Sequence, residues 1–97
     1  MKKPEIKKLY KKAWKKWGDL QFTVFMEECA ELIKAISKYQ RNHKSSAQPS
    51  RDLVEEIADV EIMIEQVIVN HNWENFRERI NTAKWDKHLR LKKIMGS

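Results

Sequence analysis

The sequence is poor in the residues that make turns and covalent cross-links. Its 97 residues include only two glycines and two prolines, which excludes a glycine-rich phosphate loop and disfavours a turn-rich all-β domain. The single cysteine, Cys29, excludes an intrachain disulfide. No apolar run is long enough to span a membrane or to form the core of a signal peptide. We therefore expect a soluble, all-helical protein of the reducing cytoplasm.

The charge is divided into three regions along a chain that is short enough to be one domain, 1–97. Residues 1–18 carry eight lysines and one glutamate, residues 19–74 carry five basic and eleven acidic groups, and residues 75–97 carry seven basic and two acidic groups. Basic ends favour an anionic partner such as nucleic acid. An acidic centre favours a cation, so the charge pattern alone leaves both kinds of partner open.

Glycine, proline, serine and asparagine clusters divide the chain into four amphipathic segments. We predict helices over about 5–17, 19–42, 51–70 and 73–94, which together form a four-helix-bundle-like subunit. The third helix has a second apolar strip on its other side, and such a strip predicts a subunit interface. That strip comprises Val54, Ala58, Ile62 and Val69.

Carboxylates interrupt the apolar side of the third predicted helix. At 100° per residue, Glu56 falls between Met63 and Val67, inside the apolar sector, and Asp59 lies beside it. An ionised carboxylate in a core is costly unless it is paired or binds a metal. Ion pairing with a lysine or arginine at the core edge is therefore one interpretation of Glu56, and a metal site is the other.

The second predicted helix carries a matching set of acids. Glu28 and Glu31 are three residues apart, as are Glu56 and Asp59, so each pair lies on one helix surface. Antiparallel packing of the two helices would bring all four carboxylates together. Mg²⁺, with Mn²⁺ as a substitute, is the cation that prefers such an all-oxygen site.

These acids resemble a known signature. The segments EECAE at 27–31 and EIAD at 56–59, separated by 24 residues between Glu31 and Glu56, resemble the EExxE…ExxD motif of the MazG-like, all-α nucleoside triphosphate pyrophosphohydrolases. The resemblance covers roughly residues 20–70. It implies a helical bundle assembled as a homodimer or homotetramer. It also implies a Mg²⁺-dependent enzyme that cleaves (d)NTPs between the α and β phosphates, in nucleotide-pool control or housecleaning.

The resemblance also implies roles for individual residues. Carried over by position, the four metal ligands are Glu28, Glu31, Glu56 and Asp59. Glu28 or Glu27 is the expected catalytic base, because a carboxylate that is not fully engaged by metal can accept a proton from water.

Basic and amide side chains are expected to hold the substrate phosphates. Arg77, Asn81 and Lys84 of the fourth helix resemble residues that follow the ExxD helix in relatives, and Lys38, with Lys34 before it, is a further candidate. The alternative is a non-enzymatic helical module that binds nucleic acid through its basic ends. Glu56 inside an apolar sector argues against that alternative, so nucleic acid is not the expected partner.

Overall fold

A computed structural model describes residues 1–42 and 49–96. It contains four helices, α1 (Lys3–Trp17), α2 (Leu20–Asn42), α3 (Arg51–Asn70) and α4 (Phe76–Ile94), and no strand within the described ranges. The all-helical prediction is confirmed. The loop predicted between the second and third helices lies almost entirely outside the described residues.

Local sequence determines where these helices begin and end. Pro4 lies in the first turn of α1, where its missing N–H costs no hydrogen bond. Gly18 ends α1 at φ 58° and ψ −140°, a conformation that side chains disfavour, and its N–H donates to the Trp14 carbonyl at 2.7 Å. Ser50 caps α3, because its side chain accepts a hydrogen bond from the Leu53 N–H at 3.3 Å.

The fourth helix begins three residues later than predicted, at Phe76 rather than Trp73. Asn75 takes the N-cap position in the left-handed conformation, with φ 52°. The cause is an aromatic contact: the Trp73 ring stacks on His71 at 4.2 Å and meets Phe76 edge-on at 4.9 Å. Trp73 is therefore part of a turn that packs against the end of α3, and Asn72 does not cap α4.

Helices α2 and α3 pack antiparallel and form most of the interior. At one end of the pair the Gln21 amide donates to the Gln66 amide oxygen at 2.8 Å, and at the other Lys38 lies 3.7 Å from Asp52. Both glutamines are buried. Because burial of an unpaired amide is costly, this hydrogen bond favours one register of α2 against α3. The register in turn determines which acids face each other.

Helix α1 packs chiefly on α3, whereas α4 packs little against the other helices and is joined to α3 by the ion pair of Arg77 with Glu65. Among the described residues only three apolar residues are buried, namely Ala35, Met63 and Val67, and each keeps 5–8% of its surface exposed. The accessible surface is 8405 Å², whereas a compact monomer of this mass exposes about 5,900 Å². The radius of gyration is 16.7 Å, against about 12–13 Å for a compact chain of this length. The isolated subunit therefore leaves much of its apolar surface uncovered.

None of the described helices has both the length and the apolar character needed to cross a bilayer.

The buried glutamine pair gives a test of the register. We expect Gln66→Met to lower the free energy of unfolding by about 1–3 kcal/mol, because it leaves the Gln21 amide buried without its acceptor. Gln21→Met/Gln66→Met should recover much of that loss, since both polar groups are then removed. Urea denaturation of the two variants measures this, with Gln40→Met at an exposed position as control. A double variant less stable than either single variant would contradict the interpretation.

Candidate metal centre

Three acidic side chains from α2 and α3 converge in the middle of the helix pair. One carboxylate oxygen from each of Glu28, Glu56 and Asp59 lies within 4.8 Å of the other two. All three side chains are half-buried. The register that pairs Gln21 with Gln66 also places Glu28 opposite Asp59. The predicted convergence of the two helices' acids is thus present for three of the four residues.

The three carboxylates repel one another when they are ionised. The pKa of Glu28 is raised above its ordinary value, chiefly by burial and then by the charges of Asp59 and Glu56. Both of these neighbours also share a hydrogen bond with the Glu28 carboxyl group. A hydrogen bond between two carboxyl groups requires a proton on one of them. A proton on Glu28 would reduce the repulsion, and a divalent cation could take its place.

Glu56 gives an independent indication that a partner is missing. Its Oε2 atom is buried and accepts no hydrogen bond from any described residue. The sequence left two interpretations of Glu56, and no ion pair joins it to a lysine or arginine in the described part of the chain. A buried carboxylate oxygen without a donor fits a cation ligand.

A groove adjoins the triad at Glu56. It has a volume of about 700 Å³ and lies between the second half of α2 and the first turns of α3. This volume falls within the range typical of small-molecule sites, about 300–1,000 Å³. Glu31 lines this groove with Glu56. The groove therefore joins the carboxylate triad to a space large enough for a nucleotide.

The remaining predicted site residues occupy different positions. Glu31 is exposed and lies outside the triad, although it shares the groove with Glu56. Glu27 is exposed and also lies outside the triad. Lys38 lines the groove and pairs with Asp52 at its rim.

The fourth-helix residues do not reach this groove within the same subunit. Arg77 pairs with Glu65 of α3 and lines a different pocket, next to Trp73 and Phe76. Asn81 and Lys84 are exposed on α4 and are not among the residues that line the groove. In this subunit, then, Lys34 and Lys38 are the predicted phosphate-binding residues that line the groove beside Glu31 and Glu56.

Sequence analysis missed Arg41 and Asp52, both of which line the groove. A signal for Arg41 is present: Lys34, Lys38 and Arg41 follow the i, i+4, i+7 spacing that places residues on one helix surface. Asp52 carried no comparable signal, because an acid in the first turn of a helix is explained by the helix dipole alone.

Four of the nine tryptophan, tyrosine and phenylalanine side chains pack with His71 at the other end of α2 and α3. Trp14 meets Phe22 and His71 edge-on at 5.1 and 4.8 Å, and Trp73 stacks on His71. The His71 ring nitrogen Nδ1 lies 2.8 Å from the Val67 carbonyl. This aromatic cluster joins α1, α2 and the end of α3, so its contacts are explained by packing.

Comparison with known proteins adds no relative. No family model matches the chain, no curated protein matches its sequence, and no solved structure matches its fold. The resemblance to MazG-like enzymes therefore stays an expectation that depends on the quoted motif.

Glu28→Gln tests whether the triad is strained by its own charge. The raised folded-state pKa means that Glu28 contributes most stability below its unfolded pKa, and this contribution is lost as the pH rises through the folded pKa. At pH 7.5 and without metal, the neutral glutamine should therefore raise the melting temperature by about 2–4 °C, which corresponds to about 0.5 kcal/mol.

The same variant should lose the stabilisation that Mg²⁺ gives to the wild type, because one ligand is missing. Thermal unfolding with EDTA and with Mg²⁺ measures both effects, and Glu61→Gln, an exposed acid on α3, is the control. A variant that melts below the wild type in EDTA at pH 7.5 would contradict the claim that repulsion among the carboxylates destabilises the protein.

Proposed function

We propose that the protein is a Mg²⁺-dependent nucleotide pyrophosphohydrolase, which cleaves (d)NTPs between the α and β phosphates to give (d)NMP and pyrophosphate. The observation that carries the proposal is the convergence of Glu28, Glu56 and Asp59 beside a groove of about 700 Å³. The resemblance of the same acids to the EExxE…ExxD motif supports it. Nucleotide-pool control or housecleaning is the proposed role.

The donor set fits Mg²⁺, or Mn²⁺ as its substitute. All three converging groups are carboxylates, and both ions prefer oxygen ligands. The buried Oε2 atom of Glu56 receives no hydrogen bond from any described side chain, so it is available to a cation. Glu31, which faces the same groove, is the proposed fourth ligand. When bound, Mg²⁺ supplies positive charge to phosphate oxygens and makes a water molecule more acidic.

The chain's own side chains have separate tasks in this reaction. Glu56 and Asp59 hold the cation on α3, and Glu28 and Glu31 hold it on α2. Glu28 or Glu27 accepts the proton of the attacking water. Either carboxylate can accept this proton only through an oxygen that the cation does not engage.

We also propose that the active protein is a homodimer or a homotetramer. The subunit exposes about 2,500 Å² more than a compact chain of 11.7 kDa, while a standard interface buries about 800 Å² per partner. Uncovered apolar residues lie on α2 and α3, and they include Met26, Ile33, Val54 and Ile57. Light scattering should then give a multiple of 11.7 kDa.

Glu56→Gln tests the proposed reaction. We expect Mg²⁺-dependent release of pyrophosphate and monophosphate from at least one of the eight common NTPs and dNTPs, and none in EDTA. The variant should lose at least about 100-fold in kcat, because a cation ligand that acts in the transition state is removed. Glu61→Gln, an exposed acid on the same helix, should keep the wild-type rate.

Two results would contradict the proposal. One is a Glu56→Gln variant that turns over as fast as the wild type. The other is a wild type that hydrolyses neither common nor damaged nucleotides but binds duplex DNA with a steep salt dependence. That second result would support the nucleic-acid-binding alternative, for which the exposed lysines of α1 are the proposed surface.

A further inference from the structure

We propose that Lys34, Lys38 and Arg41 form the subsite for the pyrophosphate part of the nucleotide, the part that leaves as product. The inference rests on the proposed pyrophosphohydrolase function and extends it from the cation ligands to the phosphate chain. It assigns the outer phosphates to α2 instead of to the fourth helix, whose basic residues do not line this groove.

The three basic side chains form a row that runs away from the carboxylates. They lie at i, i+4 and i+7 on α2, so they share one helix surface and span about 10 Å along its axis. All three line the groove that Glu31 and Glu56 also line. A phosphate chain whose cleaved bond lies at the carboxylates can therefore extend its outer phosphates along this row.

The contacts of these residues leave donors available. The Arg41 guanidinium donates to the Ser37 hydroxyl at 3.1 Å, and a guanidinium carries five N–H donors. Lys38 lies 3.7 Å from Asp52, but both side chains are more than 60% exposed, so water screens this pair. Both cations can turn to an anion in the groove at small cost.

The charges around the groove explain why a phosphate chain would need a cation first. Among the described residues, the triad and the groove wall contain five carboxylates and three basic side chains, which leaves a formal charge of −2 when all are ionised. One divalent cation brings this charge to zero, and a second makes it +2. Pyrophosphate should therefore bind with Mg²⁺ and poorly without it.

Calorimetric titration of inorganic pyrophosphate into the full-length protein tests the subsite without requiring turnover. With Mg²⁺ present, Lys34→Gln/Lys38→Gln should weaken pyrophosphate binding at least about tenfold, and Arg41→Gln should weaken it about tenfold, because charge-assisted hydrogen bonds are lost. The same variants should raise the KM for nucleotide and should not weaken Mn²⁺ binding, because they remove no cation ligand. The matched controls are Lys11→Gln on α1 and Arg90→Gln on α4, both exposed.

The outcomes separate this inference from the reaction. If the wild type releases pyrophosphate but the row variants bind it as tightly as the wild type, the subsite assignment is wrong and the reaction stands. Equal weakening by Lys11→Gln would also overturn the assignment, since net charge alone would then explain the effect. If the wild type fails to hydrolyse nucleotides but binds pyrophosphate through these residues, the subsite stands and the reaction is wrong.

Discussion

The constraint on which the rest of the structure depends is the repulsion among carboxylates that two packed helices hold together. Glu28 projects from α2 and Glu56 and Asp59 from α3, and the antiparallel packing leaves their oxygens within 4.8 Å of one another. The buried hydrogen bond between Gln21 and Gln66 favours the register that produces this contact. Repulsion at the centre of the helix pair therefore lowers the stability of the fold, and such a local cost is typical of functional sites. A divalent cation bound to the triad would remove this repulsion.

The same helix pair explains why the subunit is loosely built. Acids occupy part of the surface between α2 and α3, and few apolar side chains are fully buried. The aromatic cluster around His71 adds contacts elsewhere, because it joins α1 to the ends of α2 and α3. The subunit is extended and exposes several isoleucines, and a second copy would cover this apolar surface in the proposed oligomer. The proposed metal site and the proposed self-association would both follow from one loosely packed core.

Sequence alone predicts the helices and a convergence of acids from the second and third, because both depend on periodicity, but it predicts four acids where the structure brings together three. Glu56 stands in an apolar sector, and that conflict predicts that its carboxylate needs an ion-pair partner or a cation. The start of α4 was not predictable, since Trp73 is held by a ring contact with His71 that no local pattern encodes. Arg77 also depends on tertiary structure: its partner Glu65 is twelve residues away on another helix. Helical periodicity does not determine the orientation of α4, and therefore does not show which groove Asn81 and Lys84 can reach.

The central claim is that the triad is a divalent-cation site. Electron paramagnetic resonance of free Mn²⁺ tests it most directly, because the signal of the free ion falls as the protein binds it. We expect the wild type to bind Mn²⁺ saturably at a fixed stoichiometry per chain, with Mg²⁺ as a competitor. The variant Glu28→Gln/Glu56→Gln/Asp59→Asn, folded as judged by its helical circular dichroism, should leave the ion free. Equal Mn²⁺ binding by the wild type and this variant would contradict the claim.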